Sequence, residues 1–162
     1  MKLKSKIKLL DFFKYGKFDC IKLGQRIDWI LENFPEPDIQ YKLGTNSEFD
    51  IFEYGSIELH FRDNILYLIF SDGWFNKFYG AKNIKIDKWI FKKMDELKLL
   101  NVLEKFNENE INYEKKEDNL NIKLKLESGI EITFENINNI KNLNKNNYEM
   151  SSFGLINYDL LK

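Results

Sequence analysis

Two hydrophobic periods run along the chain, one of three to four residues and one of two. Ile27, Ile30, Leu31 and Phe34 fall at i, i+3, i+4 and i+7, and Leu99, Val102, Leu103 and Phe106 do the same. Each stretch predicts a helix with one apolar stripe packed on a sheet. Pro35 and Pro37 stop the first helix, because proline cannot donate to the helical ladder and restricts the residue before it. The second, ending near Asn107 to Asn109, carries no such stop.

The period of two follows each helix. Residues 49–54 lead into Gly55-Ser56, a pair suited to a tight hairpin turn, and then Ile57, Leu59 and Phe61 alternate with Glu58 and His60. Arg62-Asp63-Asn64 turns the chain into a strand over 65–70. Further on, Leu120, Ile122, Leu124 and Leu126 alternate with Asn121, Lys123 and Lys125, Ser128-Gly129 turns, and Ile130, Ile132 and Phe134 return. Such alternation fits antiparallel sheet with one wet face. The Asn-rich segment 137–147 reads as a loop, and 148–162 as a short closing element.

The two stretches also match each other. Residues 30–41 and 102–113 share six of twelve positions at an offset of 72, and Ile57-Glu58-Leu59-His60-Phe61 faces Ile130-Glu131-Ile132-Thr133-Phe134 at an offset of 73. The expectation is an α+β protein of two tandem helix-plus-antiparallel-sheet repeats packed as one compact unit. A basic N-terminal segment would span 1–22, the repeats 23–80 and 81–136, and a closing segment 137–162.

Composition narrows the chemistry more than it suggests any. With 162 residues, 43% hydrophobic, 14 Phe, 8 Tyr and 3 Trp, the chain has the bulk for one buried core. The 23 Lys, 19 Asn and 19 Ile against a single alanine reflect AT-rich coding rather than function. Cys20 is the lone cysteine and His60 the lone histidine, so no internal disulfide, no Cys/His zinc site and no two-histidine constellation is available. No phosphate-loop or dinucleotide signature is present, Gly73 and Gly80 included. No cofactor and no metal are expected. Cys20 reads as a buried core residue and His60 as a residue on the solvent face of its strand. The carboxylate pairs Asp11 with Asp19 and Glu36 with Asp38 read as solvated surface.

Charge is distributed in blocks. Residues 1–22 carry seven Lys against two acids, and 23–80 carry ten acids against four bases. Glu36, Asp38, Glu48, Asp50, Glu53, Glu58, Asp63 and Asp72 fall on helix-end, loop and outward strand positions of that acidic block. A surface of this sign opposes phosphate binding and suits a basic protein partner. Between Gly73 and Gly80 lie Trp74, Phe75, Phe78 and Tyr79, residue types that anchor interfaces; the same cluster also suits burial between the two repeats. The basic start at Met1 to Lys8 is not followed by a 7–15-residue apolar stretch, and the longest apolar run, Ile65 to Phe70, is too short to span a membrane. A soluble cytoplasmic protein is expected, with neither nucleic acid nor membrane as partner.

Leu23-Gly24-Gln25, the helix to Phe34, Pro37-Asp38, Tyr54 to Phe61 and Leu66 to Asp72 together resemble small bacterial immunity proteins of polymorphic or contact-dependent toxin systems. The module also resembles, more distantly, that of outer-membrane assembly lipoproteins, and the tandem layout is similar to that of the β-lactamase inhibitor protein. Chain features depart from both, with no lipobox and no disulfide pair. The resemblance covers about a third of the chain and implies a protein that binds a cognate toxin domain without chemistry of its own; the acidic block makes a basic nuclease, blocked by occlusion, the expected target. Expected contact residues are Glu48, Asp50, Glu53, Glu58, Asp63, Asp72, Trp74 and Phe75. An enzyme with an unrecognised carboxylate site and a regulatory protein-binding module are the alternatives.

Overall fold

The computed structural model describes residues 5–74 and 76–162. The chain opens with β1 (Lys6–Lys8) and α1 (Leu9–Tyr15), and α2 (Ile27–Asn33) then leads into β2 (Ile39–Tyr41), β3 (Ile51–Tyr54), β4 (Ile57–Arg62) and β5 (Ile65–Asp72). A connection carrying β6 (Lys85–Asp87) and two 3-10 turns reaches α3 (Leu99–Glu108), followed by β7 (Tyr113–Glu117), β8 (Asn121–Leu126), β9 (Glu131–Glu135) and β10 (Glu149–Ile156). Eight of these strands form one antiparallel sheet in the order β2-β3-β4-β5-β10-β9-β8-β7. The last strands of the two runs therefore meet at the centre, and the first strands are the edges. A separate parallel pair joins β1 to β6. The class is α+β, as the patterning predicts.

Both striped helices form where predicted, and for the predicted reason. Ile27, Ile30 and Phe34 are buried on α2 and its C-cap, as are Leu99, Val102 and Phe106 on α3. Each helix is tied to the start of a central strand by the same two backbone bonds. Ile27 N–H donates to the Asn64 carbonyl (2.9 Å) and Leu66 N–H to Gln25 (2.9 Å); Leu99 N–H donates to Tyr148 (2.9 Å) and Met150 N–H to Leu97 (3.0 Å). The turns also follow local chemistry. Gly55, at φ +61°, opens the two-residue turn between β3 and β4, and Asp63 and Asn64, at φ +51° and +62°, make the turn between β4 and β5.

Three features depart from the sequence reading. The N-terminal segment is not merely basic, because Leu9, Phe12 and Phe13 bury one side of α1 and Gly16 caps it in the left-handed conformation. Segment 148–162 is no peripheral closing element, since β10 lies between β5 and β9 at the centre of the sheet. Edge strands β2 and β7 also join the sheet, one with three residues and the other with five exposed, largely charged ones.

One face of the sheet carries the core. Phe52, Leu59, Leu66, Leu124, Ile132, Phe134 and Phe153 are all at most 1% exposed. α1 lies against the central strand, with Phe13 4.9 Å and Phe12 6.2 Å, ring to ring, from Phe153. The connection between the two runs is laced to the β3–β4 turn. Asp38 accepts from Gly55 N–H (2.9 Å) and Lys82 N–H (3.0 Å), Ser56 N–H donates to the Tyr79 carbonyl (3.1 Å), and Tyr79 N–H donates to Ser56 Oγ (2.8 Å). Asp38 is thus a half-buried clamp as well as a surface carboxylate, because two backbone N–H groups there need an acceptor.

Candidate functional site

Strand alternation that buries one face sends the intervening residues to the other. On β3 and β4 the buried Phe52, Tyr54, Ile57 and Leu59 leave Glu53, Glu58 and His60 on the open face. Cross-strand pairing then extends a single row over seven strands: Glu53 faces Glu58, Glu58 faces Phe70, Phe70 faces Gly154, Gly154 faces Glu131, Glu131 faces Lys125, and Lys125 faces Glu114. The first half of this row is acidic and the far edge is mixed.

The centre of the open face is apolar. A Cβ on Gly154 would lie 3.1 Å from Phe70 Cδ2 and 3.2 Å from Leu68 Cδ1, so the missing side chain is what lets Phe70 and Leu68 settle over the central strand. Leu68, Phe70, Ile156 and Tyr158 line a shallow depression there with Glu131 and Thr133. His60 stands beside it, edge-on to Phe70 at 6.0 Å and to Tyr67 at 6.3 Å, its Nε2 2.6 Å from Glu58 Oε2. His60 occupies the open face as expected, half-buried and held by a carboxylate.

The acids of this face differ in their surroundings. Tyr41 donates its hydroxyl to Glu53 Oε2 at 2.9 Å, and that bond raises the phenol above its ordinary value. Asp72 ends β5. Loss of hydration first, and then the charge of Glu58, raise its carboxyl above the usual carboxylate range, against an opposing pull from His60.

Not all the expected contact residues belong to this surface. Asp50 is 4% exposed and accepts from Leu43 N–H and the Thr45 hydroxyl, which hold its carboxyl below the usual range, the Thr45 bond contributing most. It closes the 42–50 loop from inside, because the loop's donors need an acceptor there, and it is not a surface charge. Glu48 and Asp63 are exposed but sit at the β4–β5 turn, where Glu48 N–H donates to Asn64 Oδ1 at 2.6 Å. The length of β5, roughly 25 Å for eight residues, separates that turn from Asp72.

Trp74 packs into the edge of the core. Its ring lies 5.1 Å from Phe91, 5.6 Å from Phe153 and 6.2 Å from Phe78, and its indole N–H donates to Ser71 Oγ at 2.7 Å. It is half-buried, so it belongs to the margin of the core rather than standing as a free anchor. Phe75 lies outside the described residues. Cys20 is exposed, contrary to the expected burial, and its thiol is raised above the ordinary value by desolvation and by the charge of Asp19.

Among the described residues, no group of three or more His, Cys, Asp or Glu is arranged to hold a metal ion, and no helix is long and apolar enough to cross a membrane. Comparison of the chain with family models, with curated proteins and with solved structures finds no match. Residues that the sequence reading missed are Tyr41, Tyr67, Leu68 and Phe70 on the first half and Glu131 on the second. The unbroken apolar run Ile65 to Phe70 is the signal for Tyr67, Leu68 and Phe70, because a strand with one wet face has no need of apolar residues on both.

Proposed function

We propose that this protein works by binding, as an immunity protein that occludes a cognate bacterial toxin domain, a basic nuclease, in the cytoplasm. The supporting observation is the open face itself, where Glu53, Glu58 and Asp72 lie around a half-buried apolar patch of Leu68, Phe70 and Ile156, flanked by Tyr158, whose hydroxyl donates to Glu131. Acids at the margin draw a cationic domain into encounter, and the apolar centre retains it. The reading assigns no catalytic residue to this chain. It also takes the chain as two tandem repeats, each a helix with four strands, joined through β5 and β10. Support for that comes from the paired bonds of Leu66 and Met150 and from the matched sequence blocks.

The test is co-expression with the catalytic domain encoded beside this gene, followed by association kinetics on the purified pair. Glu53→Lys with Glu58→Lys should slow association and flatten its salt dependence, because exposed charges act mainly on the on-rate. Phe70→Ala should instead speed dissociation. A neighbouring domain that is neither bound nor neutralised removes the reading.

A further inference from the structure

At the end of the sheet where β5 leaves and β10 begins, a groove of about 440 Å³ opens beside Asp72. Its floor is apolar and firmly held. Met150 and Leu97 are 2% and 3% exposed, and Trp74 is fixed by Ser71 and by the Phe91 and Phe153 rings. Met94 and Ile137 complete the walls. Its rim is acidic, formed by Asp72, Glu135 and Glu149.

These three carboxylates stand together with few counter-charges, His60 drawing on Asp72 and Lys98 facing Glu149 across an isolated backbone bridge. None of them joins an ion pair among the described residues. Glu135 and Glu149 are direct cross-strand partners on β9 and β10, and like charges set opposite each other weaken a sheet. An adjoining depression shares Glu135, Glu149 and Ile137 and continues the apolar surface over Ile140 and Leu143. Ile137 and Ile140 are 46% and 50% exposed. Lys98, which lines that depression, is the backbone bridge partner of Glu149, yet its ammonium forms an ion pair with neither glutamate.

We propose that this groove is the anchor pocket of the binding surface, and that it takes a Lys or Arg side chain of the partner whose neighbouring apolar residue packs on Trp74 and Ile137. The inference rests on the reading that the partner is a basic protein, and it places the decisive contact at the sheet end. Charge selects this occupant. A purely apolar or anionic segment would strip water from three carboxylates without pairing them, which costs more than the apolar contact returns. A guanidinium or ammonium answers them directly and separates Glu135 from Glu149. The rigid floor means that little ordering is needed on binding.

The probe is an N-acetylated Arg–Leu–Arg amide, with Glu–Leu–Glu amide as control, titrated into the full chain and followed by two-dimensional NMR. The Trp74 indole N–H signal is identified by its loss in Trp74→Phe. The cationic peptide should shift that signal and the Ile137 and Met150 amides saturably, and the acidic one should not. Glu135→Gln with Glu149→Gln should weaken the cationic peptide roughly tenfold, the share that two partly exposed ion pairs carry together. The same double variant should melt no lower than wild type, since it removes a like-charge pair. An unmoved indole signal, equal response to both peptides, or unchanged affinity in the double variant overturns the proposal. So does a shift that tracks protein concentration without peptide, which assigns the groove to self-association. With the neighbouring toxin domain as ligand, two further outcomes separate the readings. Loss of binding in Glu53→Lys/Glu58→Lys with none in Glu135→Gln/Glu149→Gln sinks the groove alone, and peptide binding without toxin binding sinks the immunity reading alone.

Discussion

Trp74 donates its indole N–H to Ser71 Oγ at 2.7 Å, and the Ser71 hydroxyl in turn donates to the Ser56 carbonyl. Ser71 is fully buried, so this short relay fixes the indole to β5 and β5 to the β3–β4 turn. Ser71→Ala strands a partly buried N–H and a carbonyl together. It should cost about 1–3 kcal/mol in denaturant unfolding and broaden or shift the Trp74 indole signal. An indole signal left in place would mean that ring packing alone positions Trp74.

The β3–β4 turn admits no side chain at its first position. A Cβ on Gly55 would lie 2.5 Å from the Gly80 carbonyl oxygen and 2.6 Å from that of Tyr79, both backbone atoms, and φ there is +61°. Gly55→Ala should therefore lose more than the roughly 1–2 kcal/mol of the left-handed conformation alone, because the connecting segment must also lift away. Amide exchange at Ser56 and Lys82 should rise in step. Gly24→Ala is the control: its φ is +91° with no atom within 4 Å, so it carries the conformational cost without the clash.

Phe34 and Phe106 are both fully buried at matched positions of the two helices. Their neighbours are different, Phe18 and Tyr54 for the first and Phe13, Trp89 and Tyr113 for the second. Each Phe→Ala change should cost about 3–5 kcal/mol in unfolding free energy. With no shared ring partners the double variant should be additive within about 0.5 kcal/mol. A large coupling energy would mean that the two halves yield as one unit around the Phe13 and Phe153 rings.

How far the fold can be read from the sequence depends on whether a segment's period is complete. α2, α3, β4, β8 and β9 each keep their buried residues in strict register, and each forms where the pattern places it. β10 does not alternate. Its buried residues Met150, Phe153 and Gly154 follow no period of two, and Gly154 stands where an outward side chain would be, so the central strand reads as irregular. β7, Tyr113–Glu117, carries no buried residue because it is a charged edge. α1 is legible in principle from Leu9, Phe12, Phe13 and Gly16, but it spans only two turns. At the site, alternation correctly turns Glu53 and Glu58 outward. Extended past the start of β3 to Asp50, it fails, because a loop's hydrogen-bonding needs override a strand's period. The pairing of Glu135 with Glu149 is out of reach, since it exists only once β10 is known to lie beside β9.

The buried Asp50 carboxylate sets a pH dependence of defined sign. The Thr45 hydroxyl, then Leu43 N–H, holds its folded pKa below the ordinary 3.8. A depressed folded value means that the ionised form is favoured by folding, so this contribution is fully present above the unfolded value near 3.8 and is lost as pH falls through the folded one. Asp50→Asn should therefore be less stable than wild type at pH 7, since the neutral amide accepts more weakly and brings two donors to a site already filled by donors. The gap between the two proteins should narrow steadily below pH 4 as the wild-type carboxylate takes up its proton. Thr45→Val, which removes the leading donor while leaving Leu43 N–H, should reproduce part of the neutral-pH loss and shift the acid limb of the stability curve upward in pH. Parallel curves for wild type and Asp50→Asn from pH 7 to pH 3 would show that the carboxylate contributes through shape rather than charge, and the loop's closure would then have to be assigned to Lys42, which donates to the Ser47 carbonyl and, at 3.3 Å, to that of Thr45.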